Sequence, residues 1–169
     1  YTADKKLKGV GFDEFTAHHD VAQVIGECQL YLGQNDSAMH SFDKSLQAIN
    51  QRLEKFKDPI DYRECQHTMR AIAMAFIDRG RCVEAQPWIE RQVTLCDEAK
   101  QRPNCDTVYI DEMEAAINYC KALLMYNKGD KDDAESAYKS YVLTHTAQSL
   151  VNTINSTEYL MLTQRYDEA

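Results

Sequence analysis

The side chains best suited to chemistry in this chain are six cysteines and one pair of adjacent histidines. The cysteines are Cys28, Cys65, Cys82, Cys96, Cys105 and Cys120. A structural zinc site needs thiolates or imidazoles at short spacings, most often two cysteines separated by two residues. No cysteines have that spacing, and the positions one helical turn after His18 and His19 hold Ala22 and Gln23. We therefore predict no metal site.

Two short segments begin like cofactor-binding loops but lack the residues that complete them. The segment GVG (9–11) starts like a dinucleotide loop, yet the third glycine of that motif would fall at Glu14. The segment DKDD (130–133) starts like a calcium loop, yet its terminal glutamate would fall at Tyr141. Acidic residues also favour the positive end of a helix dipole, so this segment predicts a helix start. We expect no cofactor and no enzymatic activity.

Cys96 and Cys105 are the cysteines for which a disulfide is considered. Cys105 lies in the proline-containing segment QRPNCDTVY (101–109), which is predicted to be a linker, nine residues after Cys96 at the end of a predicted helix. Loop geometry can bring such residues together, although free thiols are the favoured alternative. The sequence leaves this pairing, and with it the cellular compartment, open.

The charge of the chain disfavours nucleic acid as a partner. Its net charge is −8, from 27 acidic and 19 basic residues, so it has little attraction for phosphate backbones. The longest apolar run, Ala71 to Ile77, is much shorter than the roughly 20 residues that a membrane-spanning helix needs. We therefore expect no nucleic acid partner and no membrane contact by this segment.

A glycine, an alanine five residues later and a bulky residue four further on recur three times. The copies are Gly33/Ala38/Phe42, Gly80/Ala85/Ile89 and Gly129/Ala134/Tyr138. A small residue lies seven positions before each glycine: Gly26, Ala73 and Ala122. A fourth, incomplete copy has Gln164 in place of the glycine. A glycine at the bend between two helices tolerates positive φ, and small residues let the two helices approach, so the pattern predicts repeated helix pairs.

This pattern resembles the tetratricopeptide repeat family from about Asp20 to Ala169, most closely over IGECQLYLGQNDSAMHSFDKSL. The resemblance implies an all-α, right-handed solenoid of antiparallel helix pairs with about seven helices. The family repeat is about 34 residues long, whereas successive turn glycines here are 47 and 49 residues apart. We therefore expect longer helices in the first two units.

One domain covers residues 1–169, with repeats at approximately 13–56, 61–100, 110–145 and an incomplete one at 148–169. The first return helix is expected to stop near Pro59, and the third unit to begin near Ile110. The interrupted last repeat and the absence of an initiating Met suggest a piece cut from a longer protein. An incomplete last repeat predicts either self-association through the C-terminal end or a frayed seventh helix.

In the tetratricopeptide family, the first helix of each pair lines a concave groove. Carrying that frame over implies a groove that binds a protein or peptide, with Arg70 and Tyr126 as anchors. We call the following set the predicted groove: Gln23, Glu27, Tyr31, Arg70, Met74, Asp78, Tyr119, Leu123, Tyr126, Asn127 and Glu158. Neighbouring positions in the same frame are Leu30, Ile77, Ile154 and Met161. The alternative for the apolar members is packing between neighbouring repeats.

Two functions are compatible with this scaffold. The first is the sensory or regulatory region of a larger bacterial signalling protein, such as a sensor histidine kinase. The second is a general adaptor that assembles other proteins without an output domain of its own. Family resemblance describes the scaffold, and function depends on surface residues that vary among members.

Overall fold

The computed structural model describes residues 14–56, 59–103, 105–144 and 159–164. Within these ranges the chain is all-helical, as predicted, and contains no strand. The helices are α1 (Glu14–Tyr31), α2 (Asn35–Phe56), α3 (Pro59–Ile77), α4 (Cys82–Lys100), α5 (Thr107–Lys128) and α6 (Lys131–Thr144). Residues 159–162 are also helical and belong to the predicted seventh helix, most of which lies outside the described residues.

The predicted turn glycines have the expected backbone conformation. Gly33, Gly80 and Gly129 have φ angles of 75°, 67° and 88°. At each turn, the amide of the following residue donates to the carbonyl four residues before the glycine, at 2.9 to 3.0 Å. These bonds satisfy carbonyls left unpaired at the helix end. The same local structure therefore ends α1, α3 and α5.

Gln164 adopts the same conformation at the position where the fourth copy lacks glycine. Its φ is 61°, the one positive value for a non-glycine residue in the described part of the chain. Its amide donates to the Met161 carbonyl at 3.1 Å, as the turn glycines do to the carbonyl three residues back. The backbone at Gln164 therefore turns in the same way as at the three glycines, although the residue is not glycine.

The repeated small residues make close contacts between paired helices. Ala38, Ala85 and Ala134 are all fully buried. A Cβ atom added at Gly26 would lie 2.5 Å from the Phe42 ring, so only glycine allows α1 to approach α2 this closely. The predicted role of Gly26 in helix packing is confirmed.

Two units begin a few residues earlier than predicted. The third unit begins at Thr107 rather than near Ile110 because the Asp106 side chain caps α5, accepting from the Val108 amide at 2.9 Å. The second unit begins at Pro59 rather than near residue 61, whereas α2 ends at Phe56, as predicted. Proline suits the first helical position because the amide there has no partner within the helix.

Contacts between helices follow the chain order. Each helix packs most extensively on the one joined to it by a short glycine turn, giving the pairs α1 with α2, α3 with α4 and α5 with α6. The first helices of neighbouring pairs also touch, as α1 does with α3 and α3 with α5. These lateral contacts place the first helices beside each other.

Candidate functional site

The predicted groove residues lie on helices that contact each other across neighbouring pairs. The Arg70 guanidinium on α3 lies 5.8 Å from the centre of the Tyr119 ring on α5. The Tyr126 hydroxyl on α5 donates to the Leu162 carbonyl at 2.6 Å, and its ring meets Tyr159 edge-on with centroids 6.4 Å apart. Side chains of the first helices therefore connect the second, third and fourth units.

The first unit supplies polar and aromatic groups to this surface. Gln23 and Glu27 are half-buried, and the Gln23 amide donates to the Glu27 carboxylate at 3.0 Å. Tyr31 is 80% exposed, and the guanidinium of Arg79 lies 5.6 Å from its ring centre. Tyr31 is thus a large aromatic side chain held beside a cation and open to a partner. Leu30, its neighbour, is buried.

The second unit places Arg70 and Met74 at half-buried positions and Asp78 at an exposed one, while Ile77 is buried. Burial raises the pKa of the Cys120 thiol to about 11, and the nearby Arg70 guanidinium acts in the opposite direction. Arg70 is therefore held between Cys120 and an aromatic ring, so it contributes to packing between units as well as to the surface.

Two groove residues of the third unit belong to the core. Tyr119 has no exposed surface and Leu123 is 2% exposed. The Tyr119 ring packs on Tyr141 of α6, with centroids 5.5 Å apart. Both side chains pack between helices, which is the alternative considered from the sequence. Neither is open to a partner. The reason is that α5 has neighbours on several sides, namely α3, α4 and α6.

The remaining groove residues of α5 are accessible but already bonded. Tyr126 is half-buried with its hydroxyl occupied by the Leu162 carbonyl. Asn127 is exposed, and its amide donates to the Leu123 carbonyl at 3.1 Å. Glu158 and Ile154 lie outside the described residues, and Met161 is 55% exposed. The accessible groove is thus concentrated on α1 and α3.

A cavity of about 290 Å³ lies beside Tyr126, near the C-terminal end of the described residues. It is lined by side chains of α5, α6 and the last described helical turn. These are Tyr126, Lys131, Glu135, Tyr159, Thr163 and Gln164. Lys131 and Glu135 bring opposite charges to the rim, so the cavity is polar and its chemistry suits hydrogen bonding.

Among the described residues, the side chains that could bind a metal ion do not lie close together. Within the described residues, no three His, Cys, Asp or Glu side chains are grouped closely enough to hold a metal ion. The six cysteines carry free thiols. Asp132 and Asp133 lie in the first turn of α6, as the helix-start interpretation predicts. The segment GVG (9–11) lies outside the described residues.

Sequence reasoning missed two features of the surface. Arg79 was not in the predicted groove, although an arginine two residues after the end of α3 could have been noted as a partner for Tyr31. A set of exposed apolar residues on α1, which includes Val21 and Val24 at 59% and 55% exposure, was also missed. Its sequence pattern is the same as that of a buried helix face, so only the packing distinguishes it.

No helix among the described residues is long and apolar enough to cross a membrane. Searches against protein-family models, curated proteins and solved structures found no match to this chain.

Proposed function

We propose that this chain is a non-enzymatic scaffold whose helix pairs stack as a right-handed, tetratricopeptide-like solenoid and bind a protein or peptide along their first helices. The observation that carries this proposal is the direct contact of α1 with α3 and of α3 with α5. Helices that touch in this order form one continuous surface from several units. Such surfaces in repeat proteins serve as extended binding faces.

The accessible side chains suit a peptide partner. Tyr31 offers a large, rigid ring, Met74 offers an adaptable apolar side chain, and Glu27 and Asp78 offer carboxylates. Aromatic anchors surrounded by polar groups are typical of protein interfaces, in which a few residues supply most of the binding energy. Because Tyr126 is bonded within the chain, Tyr31 is the better candidate for the main anchor.

Both roles considered from the sequence, a regulatory region of a signalling protein and an adaptor, depend on this same binding step. A direct test is to select binders from a displayed library of random peptides on the immobilised chain. Selected peptides should lose affinity for Tyr31→Ala by about 1 to 3 kcal/mol, since truncating an anchor costs this much.

The matched control is Val83→Ala, which shortens an apolar side chain that is 81% exposed on α4, a return helix. It should leave peptide binding unchanged. Failure to select any peptide, or equal losses for the two variants, would contradict binding along the first helices.

A further inference from the structure

A second cavity, of about 280 Å³, lies between α4 and α5. Its volume is close to the lower limit for small-molecule sites, about 300 Å³, so it suits a small ligand. Each helix supplies four lining residues. They are Val93, Cys96, Asp97 and Lys100 of α4, and Glu114, Ile117, Asn118 and Lys121 of α5. None of them belongs to the predicted groove, so this cavity is a separate place for function.

The lining residues have the same spacing on both helices. On each helix, the second, third and fourth members follow the first by three, four and seven residues. This spacing puts the four side chains on one face over two turns. Each helix therefore presents one continuous face of mixed character to the cavity.

Two carboxylates share one ammonium group at one part of the cavity. The Lys100 ammonium lies 2.7 Å from the Glu114 carboxylate and 3.3 Å from the Asp97 carboxylate. The hydrogen bond to Glu114 raises the pKa of Lys100, so this side chain stays charged at neutral pH. The three groups together carry one excess negative charge. Since a carboxylate has about four lone-pair sites, both can still accept from a ligand, and a cationic donor fits best.

An ammonium and a carboxamide line the cavity elsewhere on α5. Lys121 and Asn118 are both half-buried. Among the described residues, neither side chain takes part in a hydrogen bond or an ion pair. Partial burial removes water from a charge, so the Lys121 ammonium gains from a bound anion. Asn118 lies about one turn earlier on the same face and can donate to that anion. A carboxylate therefore fits here.

Apolar side chains form the rest of the lining. Ile117 is 5% exposed, Cys96 is 2% exposed and Val93 packs against the core. Burial raises the pKa of the Cys96 thiol to about 11, so the thiol is neutral at physiological pH and behaves as a small apolar group. The part of the ligand between its charged groups should therefore be aliphatic.

The separation of the charges indicates the length of the ligand. Glu114 and Lys121 are seven residues apart, which is about 10 Å along a helix. Hydrogen bonds of about 2.8 Å at each end leave roughly 5 Å between the ligand's own charges. A free amino acid carries both charges on one carbon and is too short, whereas two extended residues span at most about 7 Å.

We propose that the cavity between α4 and α5 binds a dipeptide with free termini and aliphatic side chains. The ammonium group of the dipeptide donates to Asp97 and Glu114, and its carboxylate accepts from Lys121 and Asn118. The two acidic and two basic residues of the lining balance each other, which matches a ligand without net charge. The site is separate from the predicted groove, so the proposal does not depend on the proposed function.

The test on the ligand side is isothermal titration calorimetry with leucylvaline and four analogues. Acetylation removes the ammonium group, amidation removes the carboxylate, glycylglycine lacks the aliphatic side chains, and free leucine is one residue shorter. We expect leucylvaline to bind at one site and each analogue to bind at least about tenfold more weakly, equivalent to about 1.4 kcal/mol. No saturable binding of leucylvaline, or an analogue that binds as tightly, would overturn the proposal.

Variants locate the site on the chain. Lys121→Met and Asp97→Asn should each weaken leucylvaline by about tenfold. Lys121→Met should leave the weaker binding of the amidated analogue unchanged, and Asp97→Asn that of the acetylated one, because each analogue already lacks the charge concerned. The matched controls are Lys128→Met and Asp111→Asn, at exposed positions of α5 that do not line the cavity. Equal losses in variants and controls would refute the proposed site.

Amide chemical shifts give a second readout, which needs no substitution. Leucylvaline should shift the signals of the α4 and α5 residues that line the cavity and leave those of Tyr31 and Arg79 unchanged. Shifts that are largest at Tyr31 would place the dipeptide on the first helices and overturn the proposal. Because the peptides selected on the first helices are tested with Tyr31→Ala, the two proposals can fail separately.

Discussion

Replacing Gly26 with alanine should destabilise the protein, although alanine is the better helix former. A new Cβ would lie 2.5 Å from two carbons of the Phe42 ring and 3.2 Å from the Ala38 carbonyl oxygen. Carbon atoms in good contact are about 3.5 to 4.0 Å apart, so the ring or the helix must move. Phe42 is fully buried and packs edge-on against Phe76, with centroids 6.3 Å apart. The ring therefore has no free space to enter.

The size of the effect follows from two opposing contributions. Alanine in place of glycine stabilises a helix by about 1 kcal/mol, whereas overpacking a core costs about 1 to 3 kcal/mol or more. Since the neighbouring ring is confined, we expect a net loss of about 1 to 2 kcal/mol. For a chain of this size the melting temperature should fall by roughly 2 to 8 °C.

The assay is thermal and urea unfolding of Gly26→Ala, Phe42→Leu and the double variant. The smaller leucine should relieve the contact, so Gly26→Ala should cost less in the Phe42→Leu background than in the parent. A Gly26→Ala protein as stable as the parent, or costs that add without coupling, would refute the close approach of α1 and α2 at this point.

Three further predictions concern the turn, the thiols and the last contact of the array. Gln164→Gly should raise stability by about 0.5 to 1 kcal/mol because glycine relieves positive φ, and a lower melting temperature would contradict this. In the native protein, Cys28 should react with iodoacetamide at pH 8 well before Cys65 and Cys120, since burial raises the pKa of those two thiols to about 12 and about 11; mass spectrometry showing equal labelling would oppose it. Tyr126→Phe should lose about 0.5 to 1.5 kcal/mol with its bond to the Leu162 carbonyl, and unchanged hydrogen exchange at residues 159–164 would argue against that contact.

The sequence predicts features that depend on local geometry. The turn glycines were identified because positive φ requires them, and Gly26 was identified because its spacing repeats that of Ala73 and Ala122. The frame even predicted the turn at Gln164, whose side chain has no special preference for positive φ.

Features that depend on neighbouring helices were not predictable in the same way. Tyr119 and Tyr31 both belong to the predicted groove, yet one is buried and the other is 80% exposed, because α5 has neighbours that α1 lacks. The exposure of Val21 and Val24 on α1 has the same explanation. The start of α5 was missed for a local reason, since Asp106 as a capping residue was overlooked in the segment 101–109.

The central claim, that the helix pairs stack as an array, can be tested with three equivalent surface positions. Asp43, Glu90 and Lys139 each lie ten residues after a turn glycine and are exposed on α2, α4 and α6. Spin labels introduced in pairs at these positions, through unnatural amino acids that leave the native cysteines intact, would give three distances by double electron–electron resonance. A stacked array predicts similar distances for 43–90 and 90–139, and a 43–139 distance clearly longer than either. A 43–139 distance no longer than the other two would mean that the helices close into a bundle, and would contradict the account.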